Sequence, residues 1–277
     1  MIGIFDSGLG GLIIFKAIEK KLLQYDYIYL GDNARAPYGD HSQETILKYT
    51  TQAVEYLFQQ GCVLVLLACN TASAEALRKI QQEWLPKHYP DRNVLGVIRP
   101  LVEEAARISK KKRVGVLGTR STINSHAYRR ELQKQNVDIT AIEQACRLLV
   151  PLIEEGFEGR AELRMILKKY IRPVKSYNVD TIILGCTHYG LIADDIKRYF
   201  GANVRVLDSG AVVADKFAEY LQRHPEYEPK LSKKGSRRFL TTELTEQVGP
   251  LVKKFFGKAE KVESVALTPS EISLSRG

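Results

Sequence analysis

Short apolar runs, each closed by small or polar residues and followed by a stretch of helical periodicity, recur along the chain. They predict strands near 1–5, 27–30, 63–68, 94–98, 113–118, 137–142, 180–184, 203–207 and 236–241. Helices are predicted near 11–22, 42–60, 73–83, 100–109, 122–135, 160–175, 190–200, 210–222 and 244–256. A run such as Val63-Leu64-Val65-Leu66-Leu67-Ala68 has no polar face, so such strands are covered on both sides. This alternation implies an α/β fold of parallel sheets with helices on both faces.

Two of the runs end alike. Val63 to Ala68 stops at Cys69-Asn70-Thr71, and Thr181-Ile182-Ile183-Leu184-Gly185 stops at Cys186-Thr187-His188. Ile2-Gly3-Ile4-Phe5-Asp6-Ser7-Gly8 likewise resembles Val114-Gly115-Val116-Leu117-Gly118-Thr119-Arg120. The offsets, 117 between the cysteines (69 to 186) and 112 between the other pair (2 to 114), are nearly one register. The chain therefore reads as two similar α/β halves, each supplying one thiol at a strand C-terminus, where open α/β sheets hold their ligands. The expected domains are 1–97 plus 209–277, and 98–208. The segment from His224 to Arg238, with Pro225 and Pro229, reads as a polar connector.

Length and composition add bounds. A chain of 277 residues has a prior of about two domains. The 44% hydrophobic and 26% charged fractions are those of an ordinary soluble protein. No apolar run reaches the ~18 residues of a membrane span, and the N-terminal apolar stretch is cut short by Asp6, so a cytoplasmic location is expected. Cysteines 62, 69, 146 and 186 are too few and scattered for a disulfide framework, and no Cys/His cluster has zinc spacing. Cys62 and Cys146 read as small core residues. The net charge of +9 favours anionic ligands, but the basic residues lie in scattered groups that read as solvated surface.

The chemistry begins at Asp6-Ser7-Gly8-Leu9-Gly10-Gly11, where a carboxylate ends a strand and glycines leave amides open for an anionic group. The loop Gly31-Asp32-Asn33-Ala34-Arg35-Ala36-Pro37-Tyr38-Gly39 follows the next strand; Arg35 either holds a ligand carboxylate or pairs with Asp32. A thiol at a helix N-terminus is favoured as thiolate, and His188 offers Cys186 a proton partner. Two matched thiols exceed what a hydrolase needs, since one nucleophile suffices there. They suit inversion of a stereocentre, which takes a proton from one face of a carbon and returns one to the other.

The segments IGIFDSGLGGL, YLGDNARAPYG, LLACNTASA, VGVLGTRST, VPLIEEG and IILGCTHYGLI, in this order and spacing, resemble glutamate racemases of the cofactor-independent aspartate/glutamate racemase superfamily. The resemblance runs from about residue 2 to 209, and the residues after it add little. It implies two flavodoxin-like, doubly wound parallel-sheet domains with the active site at their interface. It also implies interconversion of L- and D-glutamate without a cofactor, with D-glutamate feeding bacterial peptidoglycan and so cell-wall biogenesis and cell shape. Carried over by motif, Cys69 exchanges a proton with the D-enantiomer and Cys186 with the L-enantiomer. Asp6 assists Cys69, while His188 and Glu154 assist Cys186. Ser7, Tyr38, Gly39, Asn70, Thr71 and Thr187 hold the substrate, with Asp6 and His188 beside it and Thr119 and Thr122 as additions. A homodimer and a secondary contact with DNA gyrase are partners the resemblance allows.

The chain departs from the family at Pro100-Leu101, where glycine often follows the proline, and at Cys146-Arg147, where proline commonly follows the cysteine. Both lie off the catalytic motifs. Three other readings stay open: a racemase of aspartate or another small amino acid, a superfamily decarboxylase or isomerase using one thiol, and a binding protein without catalysis.

Overall fold

The computed structural model describes residues 1–267. A first sheet is built from β1 (Ile2–Asp6), β2 (Tyr27–Gly31), β3 (Leu64–Leu67) and β4 (Asn93–Gly96). A second holds β5 (Arg113–Gly118), β6 (Thr140–Ala145), β7 (Thr181–Gly185) and β8 (Arg205–Val206). The chain then returns to the first sheet with β9 (Arg237–Thr241) and β10 (Val262–Ser264). The orders are β10-β9-β2-β1-β3-β4 and β6-β5-β7-β8, and every pairing is parallel. Both sheets thus place their first strand between the second and third, which puts a topological switch point at β1/β3 and another at β5/β7. The α/β class and the doubly wound, flavodoxin-like sheets stand as expected.

Helices cover both faces because their apolar stripes match the sheets. Gln43–Gln59 starts at Ser42, whose Oγ accepts from the Thr45 amide at 3.2 Å, and it buries Ile46, Ala53, Val54, Leu57 and Phe58 on the outer face of the first sheet. Ala161–Ser176 buries Leu163, Leu167 and Ile171 on the outer face of the second. Between the sheets, one apolar cluster takes in Ile4 and Leu66 from the first, Val114 and Val116 from the second, and Val102, Tyr128, Val213 and Phe217 from intervening helices. Each such side chain fully buried is worth about 1.5–3 kcal/mol. The exposed ion pairs Arg78–Glu131 and Arg120–Asp40 across the same seam are worth at most ~1 kcal/mol each, so the shared core is what joins the sheets.

Several elements differ from expectation. The helix expected over 73–83 begins at Asn70 and passes through a π-helical stretch, Ile80–Trp84, to His88. That expected over 122–135 is two helices, Arg120–Asn124 and Ala127–Gln135, because His126 takes a left-handed conformation at φ 51°. The 190–200 helix is preceded by a 3-10 stretch, Thr187–Ile192, and the 137–142 strand lies at Thr140–Ala145. The helix Leu149–Glu154 and β10 carry no expectation. The connector holds a 3-10 turn, Pro225–Lys230, and is anchored by Asp26, whose Oδ1 accepts from the amides of Lys234 (3.1 Å) and Ser236 (2.7 Å). Positions 268–277 lie outside the described residues.

Candidate active site

Asp6 is the last residue of β1, and its 1% exposure sets its chemistry. Its Oδ2 accepts from the Gly8 amide at 3.1 Å, and the Gly11 amide also serves the carboxylate. The glycine turn expected to receive an external anion therefore spends these amides on the chain's own carboxylate. Oδ1 is buried without a partner among the described residues. Burial raises the carboxyl above its ordinary range, against the opposing charge of His188 and the two amides.

Cys69 follows β3 and caps the helix Asn70–Glu75, its Sγ accepting from the Ala72 amide at 3.5 Å and donating to Ser7 Oγ at 3.3 Å. The expectation of a thiolate favoured by the helix end is corrected here. Burial and the neighbouring Asp6 charge push the thiol up to about 12, outweighing the contacts to Ser7 and Ala72, so the resting group is a protonated donor.

Cys186 follows β7 and has a different companion. His188 Nδ1 lies 3.9 Å from its Sγ, while His188 Nε2 lies 2.9 Å from Glu154 Oε1. Burial pulls the imidazole down, but the contacts to Cys186 and Glu154 outweigh it and raise the ring to about 10. One thiol thus sits with a carboxylate and the other with an imidazole carrying a carboxylate.

The two sets meet at the seam. A Cβ on Gly10 would lie 2.5 Å from Thr187 Oγ1 and 2.6 Å from His188 Nδ1, so the first glycine turn presses on the second thiol's neighbours. Thr71 Oγ1 lies 3.0 Å from Thr119 Oγ1 and 3.2 Å from Thr122 Oγ1, and the latter two are 3.0 Å apart, which gathers three hydroxyls from both halves. Gly39 faces Thr119, with a Cβ there 3.1 Å from the threonine Cβ. Tyr38 donates to Asp32 Oδ2 at 2.5 Å, and Arg35 Nε donates to the same oxygen at 2.7 Å. Arg35 therefore takes the second of its two expected roles, pairing with Asp32, while Thr242 Oγ1 donates to Asp32 Oδ1 at 2.8 Å. A cavity of about 450 Å³ opens at the seam, lined by Gly39, Thr119, Cys146, Glu154, Val248 and Leu251. Cys69 and Cys186 do not line it and are themselves buried, at 5% and 7% exposure.

Cys62 and Cys146 are buried in apolar clusters, as expected, although Cys146 also borders the cavity, and burial raises both thiols. Among the described residues no cluster of His, Cys, Asp and Glu is placed to hold a metal ion, and no helix is long and apolar enough to cross a membrane.

Two contributions have no sequence signal pointing at the site. Phe255, on the helix Val248–Phe256, sets its ring edge-on to His188, with centroids 5.1 Å apart and planes at 80°. Beside it Lys254 pairs with Glu158 at 2.7 Å and donates to the Ile153 carbonyl, holding the turn that presents Glu154. The residues after 209, which add little to the motif resemblance, thus pack directly on the second thiol's partners.

Residues 13–217 match the family described as Asp/Glu/Hydantoin racemase. The glutamate racemase of Aquifex aeolicus is 39% identical over 262 residues, covering 95% of each chain. Among solved structures, a glutamate racemase from Bacillus anthracis superposes with a TM-score of 0.88 at 31% identity, covering 96% of this chain and 97% of that one. Another from Francisella tularensis, in complex with D-glutamate, gives 0.86 at 32% identity, with the same coverage. With identity of this order over nearly its whole length, the chain belongs to the glutamate racemase branch of the Asp/Glu/Hydantoin racemase family.

Proposed function

We propose that this chain racemises glutamate by a two-base mechanism in which Cys69 and Cys186 work on opposite faces of the substrate α-carbon, supplying D-glutamate for peptidoglycan. The observation that supports the reading is a thiol at the switch point of each sheet, Cys69 beside Asp6 and Cys186 beside His188 with Glu154, with Gly10 of the first half set against Thr187 and His188 of the second. The relative that was crystallised with D-glutamate supports the substrate. The domains 1–97 plus 209–277 and 98–208 are the two halves that close on it, as far as the described residues extend.

In this reading the substrate ammonium meets the unpartnered Oδ1 of Asp6, and the hydroxyls of Ser7, Thr71, Thr119, Thr122 and Thr187 hold carboxylates with Asn70, Tyr38 and Gly39. For D-glutamate, Cys69 as thiolate removes the α-proton and Cys186 as thiol delivers one from the other side. For L-glutamate the roles reverse. The retained ammonium beside the α-carbon and the dry surroundings stabilise the carbanion electrostatically. The direct test is the circular dichroism of L-glutamate incubated with the protein. The signal decays to zero if the reading holds, and a constant signal overturns it.

Aspartate should be a poor substrate. Hydroxyl donors placed for a distal carboxylate are left unpaired by the shorter acid, so kcat/KM should favour glutamate by at least about 100-fold. Comparable values for the two acids would transfer the assignment to the aspartate side of the family.

Gly10 supplies a second check. Its lack of a Cβ lets the first half approach Thr187 and His188, so Gly10→Ala must push the imidazole from Cys186 or part the seam. Overpacking of this kind costs about 1–3 kcal/mol. The variant should lower kcat by roughly tenfold or more with a modest drop in Tm. Full activity would mean that this approach has no part in catalysis.

A further inference from the structure

Tyr128 is wholly buried and lies between the two halves, yet its side chain belongs to no motif discussed so far. It is carried by the helix Ala127–Gln135, which packs on the helix Ile98–Ile108 and on β6. Its ring occupies space that β7 leaves free, since a Cβ on Gly185 would lie 3.2 Å from Tyr128 Cε2. The glycine immediately before Cys186 thus fixes where the phenol goes. Burial raises its ionisation well above the ordinary range, and the nearby Cys186 adds to the effect, so the hydroxyl keeps its proton and remains a donor.

That donor has one partner. Tyr128 Oη donates to Asn70 Oδ1 at 2.6 Å. Asn70 follows Cys69 and opens its helix in the other half, so the bond reaches from a ring packed on the second cysteine's strand to the first cysteine's neighbour. An amide oxygen held by a donor on one side turns the NH₂ group to the other. No acceptor meets Asn70 Nδ2 among the described residues, which leaves two N–H donors for an anionic or carbonyl oxygen of the ligand.

We infer that Tyr128 is a positioning residue that fixes the side-chain amide of Asn70 so that Nδ2 faces the substrate. The inference rests on the glutamate reading and names the device that orients one of its binding groups. Without the hydroxyl, the amide can turn its oxygen toward a substrate carboxylate, where it repels instead of donating, and a buried acceptor is left unpaired. The effect belongs to binding rather than to proton transfer, because neither Tyr128 nor Asn70 carries the proton in this reading.

The test is a double-mutant cycle with Tyr128→Phe, Asn70→Ala and the double variant, followed by kcat and KM for both enantiomers and by Tm. Tyr128→Phe keeps the ring and removes one oxygen, so the fold is retained. Its KM should rise roughly five- to tenfold for L- and D-glutamate alike, the range expected for one lost hydrogen bond, with kcat within about threefold. Asn70→Ala should raise KM at least as much, and the double variant should be no worse than Asn70→Ala. Multiplying effects in the double variant, or a Tyr128→Phe enzyme indistinguishable from the parent, overturns the inference while glutamate racemisation by the parent still stands. A drop in Tm without a change in KM shows a packing role alone and overturns it too. Failure of the parent to racemise glutamate falls on the proposed function instead.

Discussion

Replacing either Cys69 or Cys186 by alanine should abolish racemisation, with kcat reduced by at least about 10³-fold, and leave the fold intact. Each thiol is a small member of a large apolar cluster and makes few hydrogen bonds: Cys69 with Ser7 and Ala72, Cys186 with His188. Removing one sulfur therefore leaves a small gap near the strand end and costs little of the shared core. The chemical loss is of another order, because a single thiol can take a proton but cannot return one to the opposite face. What survives is informative. In D₂O the Cys69→Ala enzyme should still exchange the α-proton of L-glutamate through Cys186, without inversion, and the Cys186→Ala enzyme should do so only with D-glutamate. Proton NMR of the α-position and chiral chromatography of the same samples separate exchange from inversion. Substantial two-way turnover in either variant sinks the two-base mechanism.

The sequence made the framework of this site legible because its signals are local. The apolar runs ending in Cys69 and Cys186 identify β3 and β7, and the likeness of the segments at Ile2 and Val114 identifies β1 and β5; the shared strand order puts all four at switch points. The partners of those residues were less legible, since they depend on distant parts of the chain. Three glycines near Asp6 read as an anion cradle, and nothing local says that Asp6 itself accepts from two of them, Gly8 and Gly11. The thiol of Cys69 reads as activated from its place at a helix start, but burial beside Asp6 acts against the short helix and is visible only once the halves are packed. Phe255 and Lys254 lie far along the chain from His188 and Glu154, and no periodicity joins them. Tyr128 reads as one more core aromatic on a helix face, and only the space left at Gly185 and the placement of Asn70 give its hydroxyl a direction.

The unequal companions of the two thiols lead to the other large expected effect. Asp6→Asn should weaken proton transfer at Cys69, and His188→Asn should weaken it at Cys186, each lowering kcat by roughly 10²-fold or more. Asp6 brings a buried carboxylate beside a thiol that burial and the Asp6 charge itself push up to about 12, so in this reading it draws the substrate ammonium to the α-carbon on the Cys69 side and steers the proton there. His188 instead keeps its own proton to about 10, so near neutral pH it stands beside Cys186 as a cation held by Glu154, a different companion from the carboxylate beside Cys69. Rates alone cannot assign these helpers to sides. The enantiomers have equal free energy, so kcat/KM must fall equally in both directions whichever step is slowed. Isotope effects can assign them, because the slowed step alone controls turnover. With α-deuterated substrates, Asp6→Asn should show a larger primary effect on D-glutamate, whose deuteron leaves to Cys69, and a smaller one on L-glutamate, whose deuteron leaves in the step that has become fast. His188→Asn should show the reverse pattern. Equal isotope effects on both enantiomers in both variants would show that Asp6 and His188 serve the carbanion in common, and the assignment of one helper to each thiol would fall while the two cysteines kept their roles.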